Sequence, residues 1–253
     1  MPYSLFQRMA RWAFVPRRRI DRLTLAVAAT AGTVILAGCG SPSPALATDA
    51  SGYHGTMLPA PVEKPAVVLT RMDGTPYDLR AETDGYLTLL FFGYTNCPDV
   101  CPVHMAGISA VMAQMTFDET RRMKVVFVTI DPERDTPEKL GPWLAQFDQR
   151  FIALTGDSAT LHDAQTELGV TPAVKDTTAT GATGYAMAHA AQVYAFTSDN
   201  LAHMVYPFGT RQKDWADDLP RLVNERWGAD STVAVNAAAM GSPSTSASPG
   251  VLR

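Results

Sequence analysis

Two cysteines, Cys97 and Cys101, stand in the stretch FFGYTNCPDVCPVHM (91–105), separated by Pro98, Asp99 and Val100. Such a pair can form an inert disulfide, act as a redox couple, or supply half of a metal site. A loop this small constrains the unfolded chain little, so its worth as a staple is modest. The pair follows a nearly all-apolar run, YLTLLFFGY (86–94), and precedes a helix-like segment. The carboxyl end of a buried strand is where open α/β sheets hold their ligands. A helix N-terminus carries partial positive charge, which favours thiolate over thiol. A thiolate so placed attacks disulfides and also binds soft metal ions. Thioredoxin-type redox pairs have two intervening residues; the three found here allow a disulfide and also let both sulfurs reach one ion.

Two thiolates leave a d-block cation short of a ligand, and histidine is the natural third donor. Five histidines are available. His54 lies in a segment that reads as a solvated tether. His162 sits beside Asp163 on a helical pattern and reads as surface. His203 falls in an alternating strand pattern and fits packing or exposure equally. His104 comes three residues after Cys101, so helical spacing brings it near that sulfur. His189 closes a Gly/Ala-rich loop, GATGYAMAHAAQ, just ahead of a strand, and such a loop can approach a neighbouring strand's active end. On residues alone, His104 and His189 compete for the third position.

The elements that must position these groups follow from periodicity. Val67–Thr70 and Tyr77–Leu79, around Asp73-Gly74, read as a β-hairpin. Tyr86–Tyr94 and Met123–Ile130 read as strands buried on both faces. Helices are expected at Met105–Phe117, at Pro137–Phe147 behind an N-cap Thr136, and at Ser158–Leu168. Phe151–Leu154 is a short strand. Ala191–Phe196 and Ala202–Tyr206 form a hairpin around Ser198-Asp199-Asn200, and a last helix covers Lys213–Trp227. Strands alternating with helices, then a hairpin and a closing helix, give an α/β layer architecture.

The ends of the chain read differently. Residues 1–38 hold Arg8, Arg11, Arg17, Arg18, Arg19 and Arg22 against Asp21, then an apolar stretch of about 14 residues from Leu23 to Leu36. Basic, then apolar, then small residues make an export signal, and the apolar stretch is short for a membrane span. Leu36-Ala37-Gly38-Cys39 resembles a bacterial lipobox, which implies cleavage before Cys39 and lipid on its thiol; an uncleaved anchor is the alternative. Arg17-Arg18-Arg19 hints at twin-arginine export. Either route tethers the domain to the cell membrane, facing the periplasm or extracytoplasmic space. Residues 39–62 read as a flexible tether and 229–253 as a low-complexity tail, leaving 63–228 as one domain. The chain carries 21 Lys+Arg and 25 Asp+Glu; losing six arginines and one aspartate with the signal leaves 15 basic and 24 acidic residues, a net of −9. That charge argues against nucleic acid as a ligand.

Phe92-Gly93-Tyr94-Thr95-Asn96-Cys97-Pro98-Asp99-Val100-Cys101-Pro102 resembles the signature of the Sco/SenC family. Val128-Thr129-Ile130-Asp131-Pro132-Glu133-Arg134-Asp135-Thr136-Pro137 resembles its second motif, and His189 stands where the family carries a histidine before a strand. The resemblance spans roughly Pro65 to Trp227. It implies a thioredoxin-like fold, a central mixed sheet between helices with an added N-terminal hairpin. It also implies copper, Cu(I) and in a further state Cu(II), held by Cys97, Cys101 and His189. The implied task is assembly of the CuA centre of cytochrome c oxidase, with the CuA-bearing subunit, other copper chaperones or thiol reductases, and the membrane as partners.

Two points depart from the pattern. Ala188 replaces an acid usual before the histidine, and His104 is unusual, which leaves it as an auxiliary ligand. Asp131 and Asp135 tune the site or dock a partner on one reading, and only build the turn ahead of a helix on the other. Met105, Met112, Met115, Met187 and Met204 read as core filling rather than a metal path. The same cysteines also suit a thiol-disulfide oxidoreductase that reduces a partner's metal-binding cysteines, for which His189 would be dispensable. A peroxidase is a weaker reading, because the residue pattern expected ahead of a peroxidatic cysteine is missing from 88–96.

Overall fold

A computed structural model describes residues 51–178 and 184–227. In chain order the elements are β1 (Thr56–Glu63), β2 (Val68–Arg71), β3 (Pro76–Asp78), α1 (Leu79–Glu82), β4 (Leu87–Gly93), α2 (Val100–Met112), α3 (Phe117–Thr120) and β5 (Met123–Thr129). They continue with α4 (Pro137–Ala145), β6 (Ile152–Thr155), α5 (Ser158–Glu167), β7 (Val174–Asp176), β8 (Ala186–Ala188), β9 (Val193–Phe196), β10 (Leu201–Tyr206) and α6 (Gln212–Asn224). Eight strands form one mixed sheet in the order β1-β10-β9-β4-β5-β6-β2-β3, and β7 and β8 make a separate two-stranded ribbon.

The centre of the sheet is parallel, β4 beside β5 and β5 beside β6, while every other pairing is antiparallel. All seven residues of β4 are buried, as a strand covered on both faces requires. Phe91 and Phe127 are register partners. Phe91 meets the His104 ring of α2, and Phe127 meets Trp143 of α4. The Ser109 hydroxyl of α2 donates to the Phe147 carbonyl just beyond α4, and α2 also packs on α6. This is the expected α/β fold, a thioredoxin-like mixed sheet flanked by helices.

The structure corrects the sequence reading in several places. Part of the expected tether is sheet: β1 is an edge strand paired antiparallel to β10. Its register shifts between Met57 and Val62, where Pro59 and Pro61 sit. An edge tolerates prolines because the missing N–H faces away from the ladder. The helix after the cysteines begins at Val100, not Met105, so Cys101 lies in its first turn. Pro102 costs that turn nothing, since the first N–H groups of a helix have no intrahelical partner. Thr136 holds the N-cap position of α4, but its side chain makes no capping hydrogen bond. The export signal, Cys39 and the tail lie outside the described residues. Among those described, no helix is long and apolar enough to cross a membrane.

Candidate metal centre

The parallel strands β4 and β5 end together, and the turns that leave their carboxyl ends build the site. After β4 the chain turns through Tyr94 and Thr95, with the Cys97 N–H on the Tyr94 carbonyl. Asp135, buried in the turn after β5, ties this loop down. It accepts from the Thr95 N–H, the Thr95 hydroxyl and the Thr129 hydroxyl. Asp135 therefore sets where the cysteine segment starts.

Asp99 occupies the N-cap position of α2 but caps nothing with its side chain. The Cys101 N–H, in the first turn of α2, instead points at Cys97 Sγ, 3.4 Å away. The sulfur thus takes the place of a capping oxygen, at the end of the helix where negative charge is favoured. Both cysteines are free thiols; Cys97 is half-buried and Cys101 fully buried. They share one proton unequally. The Cys101 thiol donating to Cys97, helped by His189 and the backbone N–H groups of Cys101 and Asp99, pulls Cys97 down to about 3 against the opposing effect of burial. Cys101 is pushed up, by its hydrogen bond to Cys97, by burial and by the charge on Cys97.

His189 arrives from the other side, on the residue after β8. The β7–β8 ribbon places it: Val174 pairs with Ala188, Lys175 with Met187, and Asp176 with Ala186. The ribbon is pinned to the β5 turn. Tyr185 donates its hydroxyl to Asp131 at 2.8 Å, while Arg134 pairs with Asp131, donates to the Tyr185 carbonyl and lies 3.5 Å from its ring centre. His189 then meets Tyr94 and Phe91 edge-on. Its Nδ1 lies 2.9 Å from the Ala190 carbonyl. A carbonyl only accepts, so Nδ1 carries the proton. The outer partner that a metal-bound imidazole requires is therefore a backbone carbonyl.

One ligand atom each from Cys97, Cys101 and His189 lie within 4.8 Å of one another. Bonds of about 2.0–2.3 Å, as imidazole and thiolate make to zinc, put the ligands of a three-coordinate ion roughly 4 Å apart. The three groups thus fit one soft ion after a small contraction.

The other candidates lie elsewhere. His104 is buried and hydrogen-bonded to the Ala191 carbonyl, outside the converging group. His54 is not a solvated tether residue: it is half-buried against Asp214 and Asp217 of α6. His203 is packed, on Asp199 and Trp227. His162 is exposed on α5, at a cavity of about 200 Å³ that it shares with Asp131 and Met187. Asp131 and Asp135 do more than form a turn, since each holds one arm of the site. The methionines fill the core, with Met105, Met112, Met187 and Met204 buried and Met115 packed against the core.

A mixed sheet whose central parallel strands present a thiol pair at their carboxyl ends, met there by an imidazole from the β7–β8 ribbon, defines a thioredoxin-like protein adapted to hold a soft metal. Residues 61–224 match the SCO1/SenC family model, and the chain belongs to that family. A putative copper-binding protein of Stutzerimonas stutzeri is 31% identical over 178 residues, 70% of this chain and 81% of that one. Among solved structures, Bradyrhizobium japonicum ScoI with copper bound superposes with a TM-score of 0.55 at 33% identity, over 64% of this chain and 99% of that one. Apo Sco1 from Thermus thermophilus gives a TM-score of 0.59 at 28% identity, over 67% of this chain and 96% of that one.

Proposed function

We propose that this protein is a copper metallochaperone that holds the ion on Cys97, Cys101 and His189 and delivers it to the CuA centre of a cytochrome c oxidase subunit. The observation that carries the reading is the convergence of two sulfurs and one imidazole from distant segments within 4.8 Å. A redox couple alone has no need of that imidazole. The low-lying Cys97 thiolate is ready for a metal at neutral pH; the Cys101 proton leaves on binding, so affinity falls as the solution becomes acidic. Thiolates favour Cu(I), and the imidazole extends the site to Cu(II). Half-exposed Cys97 is the sulfur an incoming ligand reaches first, and transfer proceeds by ligand exchange without oxidation. Lipid on Cys39 would keep the domain at the membrane that holds the oxidase.

The test is a titration of the full chain, reduced, anaerobic and carrying Cys39→Ser so that only two thiols remain. Cu(I) is added against a competing chelator, in parallel with His189→Ala. One tightly held copper per chain, weakened at least tenfold (about 1.4 kcal/mol) by the substitution, is the expected result. Weak binding that ignores the substitution would remove the chaperone reading.

The unequal thiols favour a second activity at the same place. Cys97 as thiolate attacks a partner's disulfide, forming a mixed disulfide and releasing one partner thiolate. Cys101, giving up its proton, then attacks Cys97 and expels the second. The partner gains two electrons and the Cys97–Cys101 disulfide forms, to be reduced again by an external thiol. This route does not use His189, so a reductase assay on His189→Ala separates the two activities.

A further inference from the structure

We propose that His104 is the positioning residue for the third ligand: it does not bind copper but fixes the backbone that presents His189. The inference rests on the copper-site reading above. His104 sits on α2, one turn beyond Cys101, and is 2% exposed. Its Nε2 lies 3.1 Å from the carbonyl oxygen of Ala191. The carbonyl can only accept, so Nε2 carries the proton. Ala191 falls between β8 and β9, two residues after His189 and next to Ala190, whose carbonyl takes the His189 Nδ1 proton. Adjacent carbonyls of one short connection are thus engaged, one by the ligand itself and the other by α2.

Apart from apolar packing of Ala190 on the core, the side chains of the connection give His104 no competitor for the Ala191 carbonyl among the hydrogen bonds of the described residues. Ala190 and Ala191 carry only methyl groups, and the sheet pairing of β9 begins at Val193. The imidazole of His104, by contrast, is closely boxed in. Its centroid is 5.2 Å from that of Phe91, 6.2 Å from Phe208 and 6.5 Å from Trp215. A donor held this firmly transmits the position of α2 to the His189 connection. The same helix carries Cys101 and accommodates Cys97 at its N-terminus, so one rigid element sets the spacing between both sulfurs and the ligand nitrogen. Removing an outer partner of a metal ligand typically lowers affinity about 10–100-fold. With the Tyr185 anchor intact upstream, the lower end of that range is expected.

The test uses the full chain with Cys39→Ser and compares His104→Leu, His104→Gln, His189→Ala and the double variant His104→Leu/His189→Ala. Cu(I) affinity is read by chelator competition. Cu(II) serves as a spectroscopic probe for imidazole-nitrogen coupling. His104→Leu should lose about tenfold in affinity and much of the nitrogen coupling while still binding through sulfur. His104→Gln places an amide N–H within reach of the same carbonyl and should retain both. On the His189→Ala background, His104→Leu should change nothing further, because its effect runs through the missing ligand. Wild-type affinity and coupling in His104→Leu, or equal losses in the Gln and Leu variants, would overturn the proposal. If His189→Ala binds as the wild type does, the copper-site reading itself fails, which is a separate outcome. Should His104→Leu not fold, the unsubstituted chain still decides: nitrogen NMR must show His104 protonated at Nε2, and protonation at Nδ1 alone would refute the bond.

Discussion

Around Asp218 and around Cys97 the fold gathers charged, aromatic and histidine groups into dense clusters, yet it treats them in opposite ways. Asp218, on α6, collects the His54 N–H, the Gly55 N–H and the Tyr206 hydroxyl on one carboxylate oxygen. Nearby, Tyr53 donates to Glu225, Glu225 accepts from Arg221, and Arg221 lies over the Tyr53 ring. Here hydrogen bonds from side chain and backbone are spent within the fold, and they strap residues 53–55 to α6, although the second Asp218 oxygen is buried without a hydrogen-bond partner. At the metal centre the reverse holds. Asp135, Tyr185 and His104 hold the segments that carry the ligands, while the two sulfurs and the His189 ring converge on one another. Buried polar groups that satisfy each other make structure; donors rigidly held but turned toward a common point make a site.

This contrast can be broken first at the metal. Cys97→Ser should abolish stoichiometric Cu(I) binding, a larger loss than the roughly 10–100-fold expected from an outer partner. The thermal midpoint of the apo protein should hardly move, because Cys97 is half-exposed and the serine oxygen can accept from the Cys101 N–H in the sulfur's place. A large fall in apo stability would mean that the thiol pair is part of the core, and the distinction between the two regions would collapse. The converse substitution is Asp218→Ala. It leaves three donors without an acceptor in a buried place, which should cost about 3 kcal/mol. At about 2–4 °C per kcal/mol for a domain of this size, the midpoint falls by roughly 6–12 °C. Copper affinity measured well below that midpoint should be unchanged.

Much of this was legible in the sequence, and the parts that were not share a physical cause. The apolar runs at β4 and β5 are long enough for burial to speak directly, and the thiol pair between a strand and a helix marks one end of the sheet. His189 stood out only as one of two competing histidines until the resemblance favoured it. Three features carried no local signal. β1 contains two prolines and reads as linker, and only its edge position reconciles them with pairing. The β7–β8 ribbon consists of three-residue strands that include Lys175, Asp176 and alanines, too short and too polar for periodicity to register. The bond from His104 to the Ala191 carbonyl joins residues 87 apart in sequence, and a backbone acceptor leaves no trace in residue type. Local pattern reports burial; it does not report which backbone groups meet across the fold.

The smallest expected effect concerns the other end of the strap and turns on a sign. Lys64, just after β1, is fully buried. Its ammonium donates to the Thr83 carbonyl and to the Thr83 and Thr88 hydroxyls, with no carboxylate among these partners. Burial lowers its pKa from 10.5 to about 8. Between those values the unfolded chain holds a proton that the folded state releases, so this group makes stability rise with pH; below 8 both states are protonated and the cost of burying the charge is present in full. Lys64→Met removes the titration. The difference in unfolding free energy, wild type minus variant, should therefore climb from pH 8 toward 10 with a slope of at most about 1.4 kcal/mol per pH unit. Urea denaturation of both proteins at matched pH values measures it. Tyr53 and Tyr77, whose pKa values are raised mainly by burial, pull the other way above 10. They do so in both proteins, so their contribution cancels in the difference. A flat difference would mean that the hydroxyls and carbonyl stabilise the ammonium as well as water does. The strap would then resemble the metal centre, a place where the fold accommodates charge rather than resists it.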